Sequence, residues 1–315
     1  MMSKTALPMF LAFLSLILAV NRVTADQDAL PDAKPKPDAK PKSDVKGTPD
    51  AKSKSDAKGT PDAKPKSDAK PKPDAAGVDH GLWEAVLKTH VSEGLVDYQG
   101  VAGDRRFTAY LRQLAEARFN KLTTNRDKLA LLCNAYNAFV IRGVIASDVK
   151  DSVLKHQRDG VGFFDLPDHV LAGRSLTLNH LEHKIIRPLY KEPRIHFALV
   201  CAARSCPAIR SEAYVGERLD QQLEDQARRF ANSRKHVDHD PKSRTVRLSA
   251  ILKWFGKDWD AHGGYLGWLA ERTEDATIKE ALLRARDEKT RVEFFPYDWT
   301  LNSQPPRGAQ PPSEN

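Results

Sequence analysis

Between Asp127 and Ser147 the apolar side chains Leu129, Leu131, Leu132, Tyr136, Phe139, Val140, Ile141, Val144 and Ile145 fall on nearly every side of a helix. A helix that is apolar all round cannot rest on a surface, because half of it would hold large hydrophobic groups in water. The rest of the chain must wrap it, so any fold available to this sequence is built around a buried central helix. Ahead of it, the spacing of Leu82, Val86 and Leu87 and of Phe107, Leu111 and Leu114 predicts two amphipathic helices, with a short extended piece at Leu95-Val96-Asp97-Tyr98. Behind it, His169 to Leu178 reads as a hairpin turning near Gly173, and Asn179 to Leu189 as a helix. Ile195 to Val200 reads as a short buried strand, Glu217 to Phe230 as an amphipathic helix, and His236 to Leu248 as a hairpin turning near Asp240-Pro241. Helices follow around Ile251 to Trp254, Tyr265 to Glu271 and Asp275 to Arg284, and Thr290 to Phe295 alternates as a half-buried strand does. The class is α+β: a helix-rich single domain with a small antiparallel sheet.

The first 76 residues have a different character. Lys4, the apolar run Leu7 to Val20 and the small residues Val23-Thr24-Ala25 form the pattern of a cleavable secretion signal over residues 1–25. The run is fourteen residues long, broken by Pro8 and Ser15, and falls short of the about 20 apolar residues that a membrane span needs. No later segment is expected to span a membrane either. Residues 31–72 are seven imperfect six-residue units of the type Pro-Asp-Ala-Lys-Pro-Lys. With one alanine or valine per unit, they cannot bury enough surface to offset chain entropy. Residues 26–76 are therefore expected to form a disordered linker, residues 77–302 the domain, and residues 303–315 a disordered tail. The seven units carry +5, and residues 1–75 carry +4 of the chain's +8, so the basic pI is weak support for nucleic-acid binding and none is expected. The basic linker is the candidate contact for an anionic polymer at a cell surface.

Chemistry concentrates in His196-Phe197-Ala198-Leu199-Val200-Cys201-Ala202-Ala203-Arg204-Ser205-Cys206-Pro207. Pro207 suits the first position of a helix, which would make Cys206 its cap, with free N–H groups and the positive dipole end stabilising a thiolate. Cys201 is the alternative nucleophile, with an imidazole as base. A plain Cys201–Cys206 disulfide and ordinary packing compete with both. Asn134 and Asn137 share a face of the central helix, either as a structural network or as orienter or oxyanion donor. His183 follows Glu182 on the side of its helix away from Leu181 and Ile185, a candidate base. On a strand, His196 would lie opposite Cys201 and serve it less naturally. One C-x4-C pair and a histidine are too thin for a zinc site, and no phosphate-binding glycine loop is present, so no metal or cofactor is expected.

Val96-Asp97-Tyr98, Leu132-Cys133-Asn134-Ala135-Tyr136-Asn137-Ala138, Leu181-Glu182-His183, His196 to Pro207, and Tyr297-Asp298-Trp299 with Leu301-Asn302 together resemble the domain of unknown function 547 family, in the family's order. Cys133 departs from the tryptophan usual there, which favours a packing role for it. The resemblance implies no established activity. Some eukaryotic relatives carry the domain beside a glutaredoxin-like module, and plant-type members can have serine at the second cysteine. That implies Cys201 as nucleophile and Cys206 as variable partner.

The leading reading is a thiol-dependent hydrolase or acyl-transfer enzyme with an unidentified substrate: Cys201 as nucleophile, His183 or His196 as base, and Asn134 or Asn137 as helper. The alternatives are a non-catalytic binding module tethered at the envelope and a thiol–disulfide exchanger using Cys201 and Cys206. All share an exported location, whether periplasmic, cell-surface or extracellular. Mass spectrometry of the protein recovered after export is expected to find a new amino terminus close to Asp26; an intact Met1 would refute the signal.

Overall fold

The structure is a computed structural model that describes Leu30, residues 73–287 and residues 289–305. The expected signal, most of the linker and residues 306–315 lie outside the described residues.

The central helix, α4 (Asn125–Ala146), begins where Thr124 caps the Asp127 N–H and buries fifteen of its twenty-two residues. By length and composition it could cross a membrane, contrary to the sequence expectation, yet 78% of its most apolar window lies inside the protein. It is the axis of the larger of two apolar clusters. Around it lie α1 (His80–His90), α2 (Tyr98–Ala102) and α3 (Arg105–Ala115), each started by an aspartate cap: Asp79, Asp97 and Asp104. Between α1 and α2 is the hairpin β1 (Val91–Ser92) and β2 (Leu95–Val96). The expected hairpin near Gly173 is β5 (His169–Leu171) and β6 (Arg174–Leu176), preceded by a two-residue hairpin, β3 (Gln157–Arg158) and β4 (Val161–Gly162).

The second cluster sits between α7 (Leu219–Ala231), α8 (Ala250–Phe255), α9 (Tyr265–Ala270), α10 (Ala276–Arg286) and a three-stranded sheet. That sheet contains the predicted hairpin β7 (Val237–Asp240) and β8 (Thr245–Leu248) and the predicted last strand β9 (Arg291–Phe294). The α+β class holds, with one departure from an antiparallel sheet: β9 runs parallel to β8, with Val292 opposite Val246. Helix α10 lies between them in sequence and returns the chain to the same end of the sheet. The fold also runs slightly past Asn302: Ser303 bridges Val96, and the Gln304 side chain donates to the carbonyls of His90 and Leu95.

Three local expectations are corrected. Ile195–Val200 is not a strand; Pro193–Phe197 is a 3₁₀ helix and the chain then turns. Its backbone groups find side-chain partners instead of a sheet: the Val200 N–H donates to Asn137 Oδ1 and the Ala198 carbonyl accepts from Asn137 Nδ2, both at 2.9 Å. No helix starts at Pro207, so Cys206 caps nothing and receives no helix dipole. The predicted helix from Asn179 begins at α5 (Leu178–His180), widens into a π-helical turn over Leu181–Ile186, and closes as α6 (Arg187–Tyr190).

Four buried amides on two helices hold the loop from Phe197 to Val215. Asn134 pairs with both backbone groups of Tyr214, at 2.8 Å each, and Asn137 clamps Ala198 and Val200. From α7, Gln222 spans Ala213 and Val215, while Gln226 donates to the carbonyls of Phe197 and Ala208. Replacing Asn137 with alanine would orphan two backbone groups in a dry interior. Asn137→Ala is expected to destabilise by about 2–4 kcal/mol in urea unfolding with an unchanged m-value; a loss within error of zero would show that the amide is dispensable.

Candidate functional site

The cysteine loop lies where the two clusters meet. Cys201 and Cys206 form a disulfide with Cα atoms 6.3 Å apart. Cys206 is 4% exposed, while Cys201 is only partly buried. The Cys206 sulfur accepts the Cys201 N–H at 2.9 Å and the Tyr297 hydroxyl at 3.3 Å, and that hydroxyl lies 3.2 Å from the Cys201 sulfur. Ala202, between them, takes a left-handed backbone with φ 61°, which costs roughly 1 kcal/mol or more in a residue with a Cβ. The strain is held by the C-terminal segment. Asn302 N–H donates to the Ala202 carbonyl, Arg204 N–H to Thr300 and Ser205 N–H to Asp298. The Lys235 ammonium reaches the Cys206 carbonyl at 3.4 Å, and its pKa is lowered by burial and by Arg204 nearby.

A second group of polar residues lines the π-helical turn and the 3₁₀ helix. A π turn has an extra residue, which lets adjacent positions contribute to one side of the helix. Glu182 is half-buried and hydrogen-bonded to Tyr136, and desolvation raises its pKa. The His183 Nδ1 lies 3.8 Å from the Glu182 carboxyl and 3.2 Å from Arg187 Nη1. Because a guanidinium can only donate, Nδ1 is the acceptor there and the proton of neutral His183 sits on Nε2. Burial lowers the His183 pKa in the same sense. Arg187 forms a two-pronged pair with Asp258, both contacts 2.9 Å, and Asp258 also accepts from His196 Nε2 at 2.7 Å. Those bonds, from His196 first and Arg187 next, hold the Asp258 carboxyl far below the usual range. His196 itself is kept neutral by burial, its ring stacked 4.2 Å from Phe255. The two shifts agree: a neutral imidazole donates its Nε2–H to an ionised carboxylate.

Of the residues singled out in the sequence, Cys201 and Cys206 thus come together with Tyr297, and His183 and His196 come together around Arg187 and Asp258. Among the described residues no histidine nitrogen hydrogen-bonds either sulfur. Asn134 and Asn137 lie behind the cysteine loop with both ends of their amides engaged by backbone. Asp298 and Asn302 bond the loop and Tyr98 rather than a histidine. Cys133 is a fully buried free thiol whose pKa burial raises, consistent with packing. Sequence reading missed Asp258, Arg187, Gln222 and Gln226. Arg187 was within reach as the i+4 neighbour of His183, and both glutamines sit on the apolar face of a predicted helix, where an amide needs a reason.

The sequence model of the family described as "Protein of unknown function, DUF547" matches residues 119–231. The chain carries a DUF547 domain. The match contains the two asparagines, Glu182, both histidines and both cysteines, while Asp258 and Tyr297 come from outside it. No curated protein and no solved structure matches the chain. The DUF547 segment thus supplies the π turn and the cysteine loop, and the C-terminal third completes both polar groups.

Native His196 stays neutral below its ordinary pKa of 6.5, whereas the unfolded chain takes up a proton there. The stability it contributes is full above about pH 6.5 and falls as pH drops toward the depressed folded pKa. Asp258 opposes the depression, so Asp258→Asn is expected to lower the His196 pKa further, read from its ring C–H resonances by NMR; a raised value would overturn the assignment.

Proposed function

We propose that this is an exported protein whose DUF547 domain exchanges disulfides with a thiol-bearing partner through Cys201 and Cys206. The observation that carries the reading is the asymmetry of the pair. Cys201 is open to attack, while Cys206 is buried against two donors, the Cys201 N–H and the Tyr297 hydroxyl. An incoming partner thiolate would attack the Cys201 sulfur, break the Cys201–Cys206 bond and leave Cys206 as the thiolate those donors stabilise. A second partner thiolate then attacks the mixed disulfide at the partner's sulfur, forming the partner's disulfide and releasing Cys201. Two electrons pass from the partner to the domain. An oxidant of the disulfide class would restore the pair.

A purely structural bond is the weaker reading. The cysteines are five residues apart, and closing so short a loop restricts the unfolded chain by only roughly 2 kcal/mol. The hydrolase reading requires an imidazole at Cys201, whereas both candidate bases are engaged with Arg187 and Asp258.

The test is mixed-disulfide trapping. Cys206→Ser is expected to accumulate a covalent adduct with a disulfide-bearing peptide through Cys201, and Cys201→Ser is not. Tyr297→Phe should slow exchange about tenfold by removing one donor to the thiolate. A folded protein whose pair resists glutathione buffers, or a reduced Cys201 that forms an acyl-enzyme, would sink the proposal.

A further inference from the structure

An open groove of about 550 Å³ lies between α8, the 3₁₀ turn that follows it (Gly256–His262), α9 and the end of β9. Leu252, Trp254, Tyr265, Leu266 and Phe294 give it an apolar lining. Tyr265 can lie close because position 256 is glycine: a Cβ there would stand 3.0 Å from the Tyr265 ring. Trp254, 46% exposed, is the largest of the exposed hydrophobic side chains among the described residues. A tryptophan left half in water at the edge of an apolar groove marks a surface built to be covered. The rim carries mostly one sign of charge. Lys253 and Lys257 stand four positions apart and Arg286 closes α10, against the carboxylate of Asp260. Arg286 is paired with Asp287 at 3.0 Å, whereas neither lysine forms an ion pair among the described residues. Trp254 also connects the groove to the disulfide. Its ring packs against Tyr297 and Trp299, with centroids 4.8 and 6.0 Å away, and the Tyr297 hydroxyl lies 3.2 Å from the Cys201 sulfur.

We infer that this groove docks an acidic polypeptide segment that carries a large apolar side chain. The apolar group covers Trp254 and the lining behind it, and carboxylates of the segment meet Lys253 and Lys257. Charge complementarity selects the partner: two unpaired ammonium groups beside an apolar floor attract an anionic chain and repel a cationic one. An open groove suits an extended chain, which continues beyond it, better than a small molecule, which needs enclosure over most of its surface. The chain's own repeat is a poor occupant, because residues 31–72 carry +5 and share the sign of the rim. That the docked segment flanks the cysteine of a thiol-bearing partner rests on the exchange reading above; the preference for an acidic, apolar chain does not. The Trp254 ring stands roughly 11 Å from the Cys201 sulfur, a distance that about three extended residues span. A segment seated in the groove would therefore deliver a cysteine a few positions away to the accessible sulfur of the pair.

The test is calorimetric titration of the full chain with two short peptides, each holding one serine and one phenylalanine, flanked in one by glutamates and in the other by lysines. The glutamate peptide is expected to bind about tenfold more tightly than the lysine peptide. Lys253→Glu combined with Lys257→Glu changes only exposed side chains and should reverse that preference, which separates the rim from the chain's overall charge of +8. Trp254→Ala should weaken the glutamate peptide about tenfold as well. Equal binding of the two peptides, or an affinity unchanged in the double variant, would overturn the inference. So would a dimer in light scattering that the peptide dissociates, which would assign the groove to a second copy. Cysteine in place of the serine separates the two proposals. Selective binding without any mixed disulfide would sink the exchange reading and leave the groove; mixed disulfides formed equally fast by both peptides would leave the exchange and sink the groove.

Discussion

The interaction on which the rest depends is the paired engagement of buried amides with a loop that has no sheet to join. Asn134 and Asn137 project from one side of α4, and Gln222 and Gln226 from one side of α7. Each spans two backbone groups of the segment from Phe197 to Val215. Backbone groups in a dry interior must be paired. Here the side chains of two helices do what a neighbouring strand would otherwise do, and so the segment can be buried without being regular. That freedom lets the chain turn sharply, adopt a left-handed residue at Ala202 and bring Cys201 back to Cys206.

The C-terminal segment completes the arrangement. Its bonds to Ala202, Arg204 and Ser205 fix the loop from the other side, and Tyr297 meets the sulfurs from there. The same tyrosine stands in an aromatic group with Trp254 and Trp299, of which Trp254 is 46% exposed. The histidines belong to a separate network in which Arg187 and Asp258 satisfy one another and bond His183 and His196, whose pKa values burial lowers. The two polar groups are therefore distinct: one surrounds a disulfide, the other places imidazoles around an ion pair.

Much of this was legible in the chain. The all-round apolarity of α4, the periodicity of α1, α3 and α7 and the turn residues of both larger hairpins reflect local forces that act on a few neighbouring residues, and each element formed where those forces predicted. The sequence also isolated the two cysteines, the paired asparagines and Glu182-His183 as groups in need of a reason. Only the tertiary structure decided what those groups do. Ile195–Val200 has the composition of a strand, but a strand exists only by pairing, and its partners proved to be the side chain of Asn137 and a 3₁₀ turn. Cys206 gained two donors instead of a helix dipole because Pro207 leads into a loop clamped by Gln226. His196 found Asp258, 62 residues further on, and His183 found Arg187, rather than a thiol. Leu30, which reads as one apolar residue in a solvated tether, acquired a place in the core. Local composition fixes which segments seek burial or a partner; which partner each receives depends on contacts between segments far apart in the chain, and those are set only when the whole domain packs.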